Sequence, residues 1–111
     1  MAFSVDTDRD LPVVRVTGEL DHATVPALAA AIQEQIDGGQ LDVVLDLQGV
    51  TFLDSSGLGL FVSQHKTLRQ RHGSLRLANA PSRVLTVLSI TGLDRVFQVY
   101  PSVQAALAVA D

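Results

Sequence analysis

Between Phe52 and Val62 the chain reads FLDSSGLGLFV, an acid, two serines and two glycines set between strand-forming residues and an apolar helical pattern. A hydroxyl at such a junction can attack as a nucleophile, cap the helix, or accept a phosphoryl group. Nucleophilic attack fits poorly, because a nucleophile elbow needs G-x-S-x-G with histidine and acid partners, and here Ser56 follows Leu53-Asp54-Ser55. Capping fits well: Ser55, or Asp54 just before it, can accept from the free amides of the first turn. Phosphorylation fits through the helical wheel. At about 100° per residue, a helix from Leu58 to His72 gathers Leu58, Phe61, Val62, His65, Leu68, Arg69 and His72 on one side, which is expected to face a sheet. The same wheel puts Ser56 nearly opposite that stripe, pointing outward, and Ser55 at its flank. A phosphate on an outward first-turn serine meets unpaired amides and the positive end of the helix dipole, and adds about -1.5 to -2 charge to the surface.

The wheel also turns Leu60 outward, one turn beyond Ser56, where it is either a partner contact or an ordinary exposed leucine. Gly57 and Gly59 are poor helix formers, costing about 1 kcal/mol each against alanine. Either close approach by another backbone or tight packing near the strand end accounts for them.

Other chemistry finds no support. Of the histidines, His65 lies with the apolar stripe as an expected satisfied core residue, His72 ends a helix and His22 stands in a loop. Gly57-Leu58-Gly59 lacks the third glycine of a dinucleotide fingerprint, and no phosphate-binding G-x-x-x-x-G-K-[ST] occurs. An aspartyl-phosphate receiver would need an acidic cluster for magnesium and a well-placed lysine, and the sole lysine, Lys66, is mid-helix. No catalytic residue, metal site or cofactor is expected, and the chain does not read as an enzyme.

The elements that position the D-S-S-G segment follow from periodicity. AFSVDT and LPVVRVTGEL read as strands joined by a hairpin at Asp8-Arg9-Asp10. Val25, Leu28, Ile32 and Ile36 recur at helical spacing, with Thr24 as a cap, Pro26 in the first turn and Gly38-Gly39 as the stop. Leu41 to Leu47, LDVVLDL, is an inner strand apolar on most positions, as expected when both faces are covered. The helix carrying Ser56 is predicted to run to about His72. It is followed by a strand SLRLAN, a helix PSRVLTVLSIT stopped by Gly92, a strand RVFQVY, and a helix PSVQAALAVA opened by Pro101. The order ββαβαβαβα predicts an α/β fold: a mostly parallel mixed sheet with an antiparallel first hairpin and helices packed on it. With no linker or repeat, residues 1–111 read as a single domain.

Composition narrows the partner classes. The chain of 111 residues is 47% hydrophobic and 18% charged, too apolar for disorder. Twelve acidic residues against eight lysines and arginines give a net charge of -4, so there is no electrostatic footprint for nucleic acid. Cysteine is absent, which removes disulfides and thiolate zinc sites and fits a reducing compartment. MAFSVDTDRD has neither the basic start nor the apolar core of a signal peptide, and no run approaches the roughly 18 apolar residues that span a bilayer. A soluble, cytoplasmic protein without a membrane partner is expected.

VTGELD leading from the second strand, VVLDLQGVTFLDSSGLGLF after the third, and LRLANAPSRVLTVLSITGLDRVFQVY toward the end together resemble the STAS domain, and more closely the single-domain anti-sigma factor antagonists of bacteria. The resemblance runs over essentially the whole chain, and D-S-S-G is its most specific part. It implies partner switching: the unphosphorylated antagonist binds an anti-sigma factor with serine kinase activity and frees a sigma factor, the kinase phosphorylates the second serine of D-S-S-G, and a PP2C-type phosphatase reverses the modification. On that resemblance Ser56 is the phosphoacceptor, Asp54, Ser55 and Gly57 complete the motif, and Asp21 of GELD corresponds to the acidic residue that lies beside the serine and helps engage the kinase. Some relatives carry the fold as scaffolds of larger signalling assemblies without a working phosphoserine, and that is the alternative expectation.

Overall fold

The computed structural model describes residues 1–109. Its first turn is built from two non-glycine residues in left-handed geometry, Arg9 at φ 51° and Asp10 at φ 66°. Two successive positive φ values match the twist of the strands they join, as in a type I′ hairpin. The strands are β1 (Ala2–Asp8) and β2 (Leu11–Leu20), paired antiparallel with Asp8 opposite Leu11. From there helices and strands alternate through α1 (Val25–Asp37), β3 (Asp42–Leu53), α2 (Ser55–Gln70), β4 (Ser74–Ala78), α3 (Ser82–Thr91), β5 (Gln98–Tyr100) and α4 (Val103–Leu107). The sheet order is β1-β2-β3-β4-β5, with β2 through β5 parallel to their neighbours. The α/β class, the ββαβαβαβα order and the antiparallel first hairpin all stand as the sequence predicts.

Alternation along the strands divides the core in two. Val14, Val16, Val43, Leu45, Leu47, Leu75 and Leu77 face α1, α2 and α3, meeting Leu28 and Ile32, Phe61 and Leu68, and Val84 and Leu88. Val13, Val44 and Ala78 face the other way, against Val103, Ala106 and Leu107 of α4. Fully burying each of these valine, leucine, isoleucine and phenylalanine side chains stabilises the fold by roughly 1.5–3 kcal/mol. The α4 face also holds a charged group: Arg76, 2% exposed, donates to the carbonyl of Ala106 at 2.8 Å and to the hydroxyl of Ser74 at 3.1 Å, and lies 3.6 Å from Asp42.

Several boundaries differ from expectation. β3 runs on through Phe52 and Leu53 instead of stopping near Leu47, because β2 continues alongside it with register shifts after Arg15 and Gly18. The segment from Leu93 to Arg95 forms a 3-10 turn after Gly92, whose φ of 76° ends α3, so only Gln98–Tyr100 remains extended. The last helix is capped by Ser102, whose Oγ accepts from Ala105 N at 3.0 Å, and spans five residues. The helix stops at Leu107, short of the expected run through PSVQAALAVA, with Ala108 and Val109 outside it; Ala110 lies outside the described residues. Among those described, no helix is long and apolar enough to cross a membrane.

The rotation of α2 is the correction that matters most. Its buried residues are Gly57, Leu60, Phe61, Gln64 and Leu68. Relative to the stripe drawn from sequence, the helix is turned by roughly 80° at about 100° per residue. Leu60 is therefore a core residue, 4% exposed, and not part of an outward partner surface, whereas Val62, expected inside, is 42% exposed. The reason lies at Gly57. A Cβ there would sit 2.2 Å from Leu53 Cδ1, 3.1 Å from Leu20 Cβ and 3.3 Å from the Leu20 carbonyl oxygen. The helix packs inward at its glycine, a position that a count of apolar side chains overlooks.

Candidate functional site

The site lies where β2 and β3 end side by side. Leu20 is paired with Leu53, and the next residue of β3's exit, Asp54, donates its amide to the Leu20 carbonyl at 3.1 Å. Asp21 and Asp54 thus open two neighbouring loops at the same end of the sheet.

Each carboxylate caps the helix that follows it. Asp54, in extended geometry, accepts from Ser56 N at 2.8 Å, so the cap of α2 is Asp54 and Ser55 is released from that role. Asp21 Oδ1 accepts from the amides of Ala23 and Thr24, both at 3.0 Å, while Asp21 N donates to Thr24 Oγ1 at 3.0 Å. The reciprocal Asp21–Thr24 pair has the logic of a capping box. Thr24 stands at the N-cap of α1 but makes no side-chain cap bond there, so the expected Thr24 cap is replaced by Asp21. Desolvation pushes the Asp21 carboxyl upward, yet the hydrogen bonds from Thr24 and Ala23 and the charge of His22 outweigh it and hold the group below its ordinary value.

With α2 rotated, the two serines exchange emphasis. Ser55 stands at the exposed pole of the helix and Ser56 at its half-buried flank, beside inward-facing Gly57. Neither hydroxyl has a hydrogen-bond partner within the described residues. The exposed stripe continues through Gly59, Val62, Ser63 and Lys66, and a Cβ added at Gly59 meets nothing within 4 Å. Phe52, 50% exposed at the end of β3, sits just ahead in the chain. Val62 and Phe52 are the apolar surface residues that the sequence reading missed. A break in strand alternation at Phe52 was the available signal; the inward placement of Gly57 shows only in the fold.

Two further side chains of α2 hold a buried polar atom without a hydrogen-bond partner among the described residues. Gln64 lies inside the stripe with its Oε1 buried and unpartnered. His65, expected to be a satisfied core residue, has a buried Nδ1 with no hydrogen-bond partner, and its ring meets Phe97 edge-on at 5.1 Å. Burial, with Arg69 nearby, holds the imidazole below its ordinary range.

The STAS domain model matches residues 2–106, and the chain belongs to that family. The anti-sigma F factor antagonist of Paenibacillus polymyxa is 30% identical over 108 residues, covering 96% of this chain and 92% of the relative. The anti-sigma-B factor antagonist of Staphylococcus aureus is 37% identical over 86 residues, covering 78% of this chain and 80% of the relative. Among solved structures, the anti-sigma factor antagonist SpoIIAA in its unphosphorylated form superposes with a TM-score of 0.83 at 26% identity, over 99% of this chain and all of the other. The Bacillus protein in its phosphorylated form gives 0.76 at 27% identity, over 96% of both chains.

Proposed function

We propose that this protein is an anti-sigma factor antagonist working as a partner switch. In its unphosphorylated state the exposed face of α2, with Asp21 and Asp54 at its head, docks on an anti-sigma factor that carries serine kinase activity, and a sigma factor is freed. The kinase transfers a phosphoryl group to Ser56, the complex parts, and a PP2C-type phosphatase restores the hydroxyl. The observation that carries this reading is the hydroxyl of half-buried Ser56 in the first turn of α2, without a hydrogen-bond partner among the described residues and beside a stripe of small and apolar surface residues.

The electrostatics support a switch of this kind. Ser56 N is already engaged by the Asp54 carboxylate at 2.8 Å, so a phosphate on the same residue brings about -1.5 to -2 further charge next to an existing negative group. A partner surface fitted to Gly59 and Val62 then faces a dianion. The relatives' names and the phosphorylated form of SpoIIAA point the same way.

The test is to incubate the purified protein with its cognate kinase and ATP and map the product by mass spectrometry. One phosphate on Ser56 is expected. Phosphate on Ser55, now the more exposed hydroxyl, or none at all, overturns the assignment and favours the scaffold reading.

A further inference from the structure

At the opposite end of α2 from Ser56, about 20 Å along the helix at 1.5 Å per residue, the structure holds a cavity of about 460 Å³. Its polar wall is formed by His65 and Arg69 of α2, Ser74 and Arg76 of β4, and Gln98 of β5. Leu75, Val96 and Val109 supply an apolar wall. Two guanidinium groups and an imidazole line it, and among the described residues no carboxylate does.

The cationic groups differ in how they are held. Arg76 is fixed by Ser74, by the Ala106 carbonyl and by Asp42 behind it at 3.6 Å, so its charge is largely matched. Arg69 is exposed in the last turn of α2 and has no ion pair among the described residues. His65 is oriented by its edge contact with Phe97, and its buried Nδ1 finds no partner. An apolar cavity wall next to an exposed guanidinium without an ion pair among the described residues is the arrangement that an amphipathic anion fills: the charged end on Arg69, with a planar fork suited to an oxyanion, and the apolar part on the hydrophobic wall. We propose that this cavity binds a small organic oxyanion, with Arg69 as its charged anchor and Leu75, Val96 and Val109 as the seat for its apolar part. The site is independent of Ser56 and of the switch proposed above.

Amide chemical shifts of the intact protein, followed by NMR, test it with four probes at matched ionic strength: sodium hexanoate, inorganic phosphate, hexanol and sodium chloride. Saturable shifts with hexanoate are expected at Arg69, Ser74 and Gln98 but not at Ser55 to Gly57, with affinity at least fivefold above that for phosphate or hexanol. Arg69→Gln should weaken hexanoate binding at least tenfold while the rest of the spectrum is unchanged, and Arg69→Lys, which keeps the charge but not the planar fork, should fall between the parent protein and Arg69→Gln. Shifts no larger than those from chloride, or equal hexanoate binding by Arg69→Gln, overturn the site. Equal affinity for phosphate and hexanoate overturns the role of the apolar wall.

Discussion

The amide of Asp54 donates to the carbonyl of Leu20 at 3.1 Å, tying the loop that opens α2 to the strand end that precedes Asp21. The two acidic residues that head the site are therefore placed by one backbone bond between parallel strands, before either side chain acts. Position is set by the sheet, and the side chains then fix the helices.

Removing the Asp54 cap tests this division. Asp54→Ala leaves Ser56 N without its 2.8 Å acceptor, and is expected to cost about 1 kcal/mol in urea unfolding, while Asp54→Asn or Asp54→Ser restores most of it. Loss of more than about 2 kcal/mol would show that Asp54 has a larger structural role than a cap.

The two glycines of α2 should respond in opposite directions. Gly57→Ala forces a Cβ to within 3.3 Å of the Leu20 carbonyl oxygen and against Leu53, and overpacking of this kind costs about 1–3 kcal/mol. Gly59→Ala meets open space and should stabilise the isolated protein by roughly 0.5–1 kcal/mol. If the partner's backbone approaches at Gly59, the same change weakens binding although the fold is firmer, and calorimetry on the complex separates the two effects.

Charge at Ser56 is predicted to break docking. Ser56→Asp and Ser56→Glu should weaken anti-sigma factor binding at least tenfold, a loss of about 1.4 kcal/mol or more. Ser56→Ala should bind but resist switching, and Ser55→Ala should still switch. Equal binding by all the Ser56 variants would remove electrostatic repulsion as the mechanism.

His65 gives a pH signature. Its folded-state midpoint lies below the ordinary histidine value of about 6.5, chiefly through burial. Well above that value both folded and unfolded chains hold a neutral ring. As pH falls through about 6.5, the unfolded chain takes up the proton first and stability declines until the folded midpoint is passed, after which this contribution is constant. Urea midpoints at pH 7.5 and 5.5 should fall further for the parent protein than for His65→Gln. Identical falls would remove His65 from the pH response.

Arg76 should behave as a buried charge in balance with Asp42. Arg76→Met leaves the Asp42 carboxylate, 6% exposed, without its counter-charge, and is expected to cost about 3–5 kcal/mol. Adding Asp42→Asn should recover a large part, measured by the same denaturation curves.

Much of this architecture is legible in the sequence because it is written in local stops and periods. Gly92 ends α3 through a left-handed φ, Asp8-Arg9-Asp10 marks the hairpin, and the spacing of Leu28, Ile32 and Ile36 defines the buried face of α1. The site was legible in composition but not in orientation. The face of α2 is decided by how near the helix comes to Leu20 and Leu53, a tertiary distance that favours a residue without a side chain, so a wheel weighted by apolar groups centres on the wrong positions. The same limitation hid the Asp21 cap, since Thr24 satisfies the usual pattern for a helix start and only the turn geometry shows which oxygen receives the amides. The length of β3 was equally hidden, because Gln48, Gly49 and Thr51 interrupt the apolar run, and the strand continues through the pairing of Gly49, Val50, Phe52 and Leu53 with β2 across two register shifts.

The strand order has a consequence for synthesis. Because β1 to β5 lie in the sheet in the order in which they leave the ribosome, no strand has to insert between two already paired, and each new strand adds to the growing edge. Until Ser74–Ala78 emerges, that edge is β3, whose DVVLDL run is buried at every position in the finished fold. A nascent chain paused inside α2 therefore exposes a long, sticky edge strand, and prompt delivery of β4 is what keeps the half-made sheet from joining another copy.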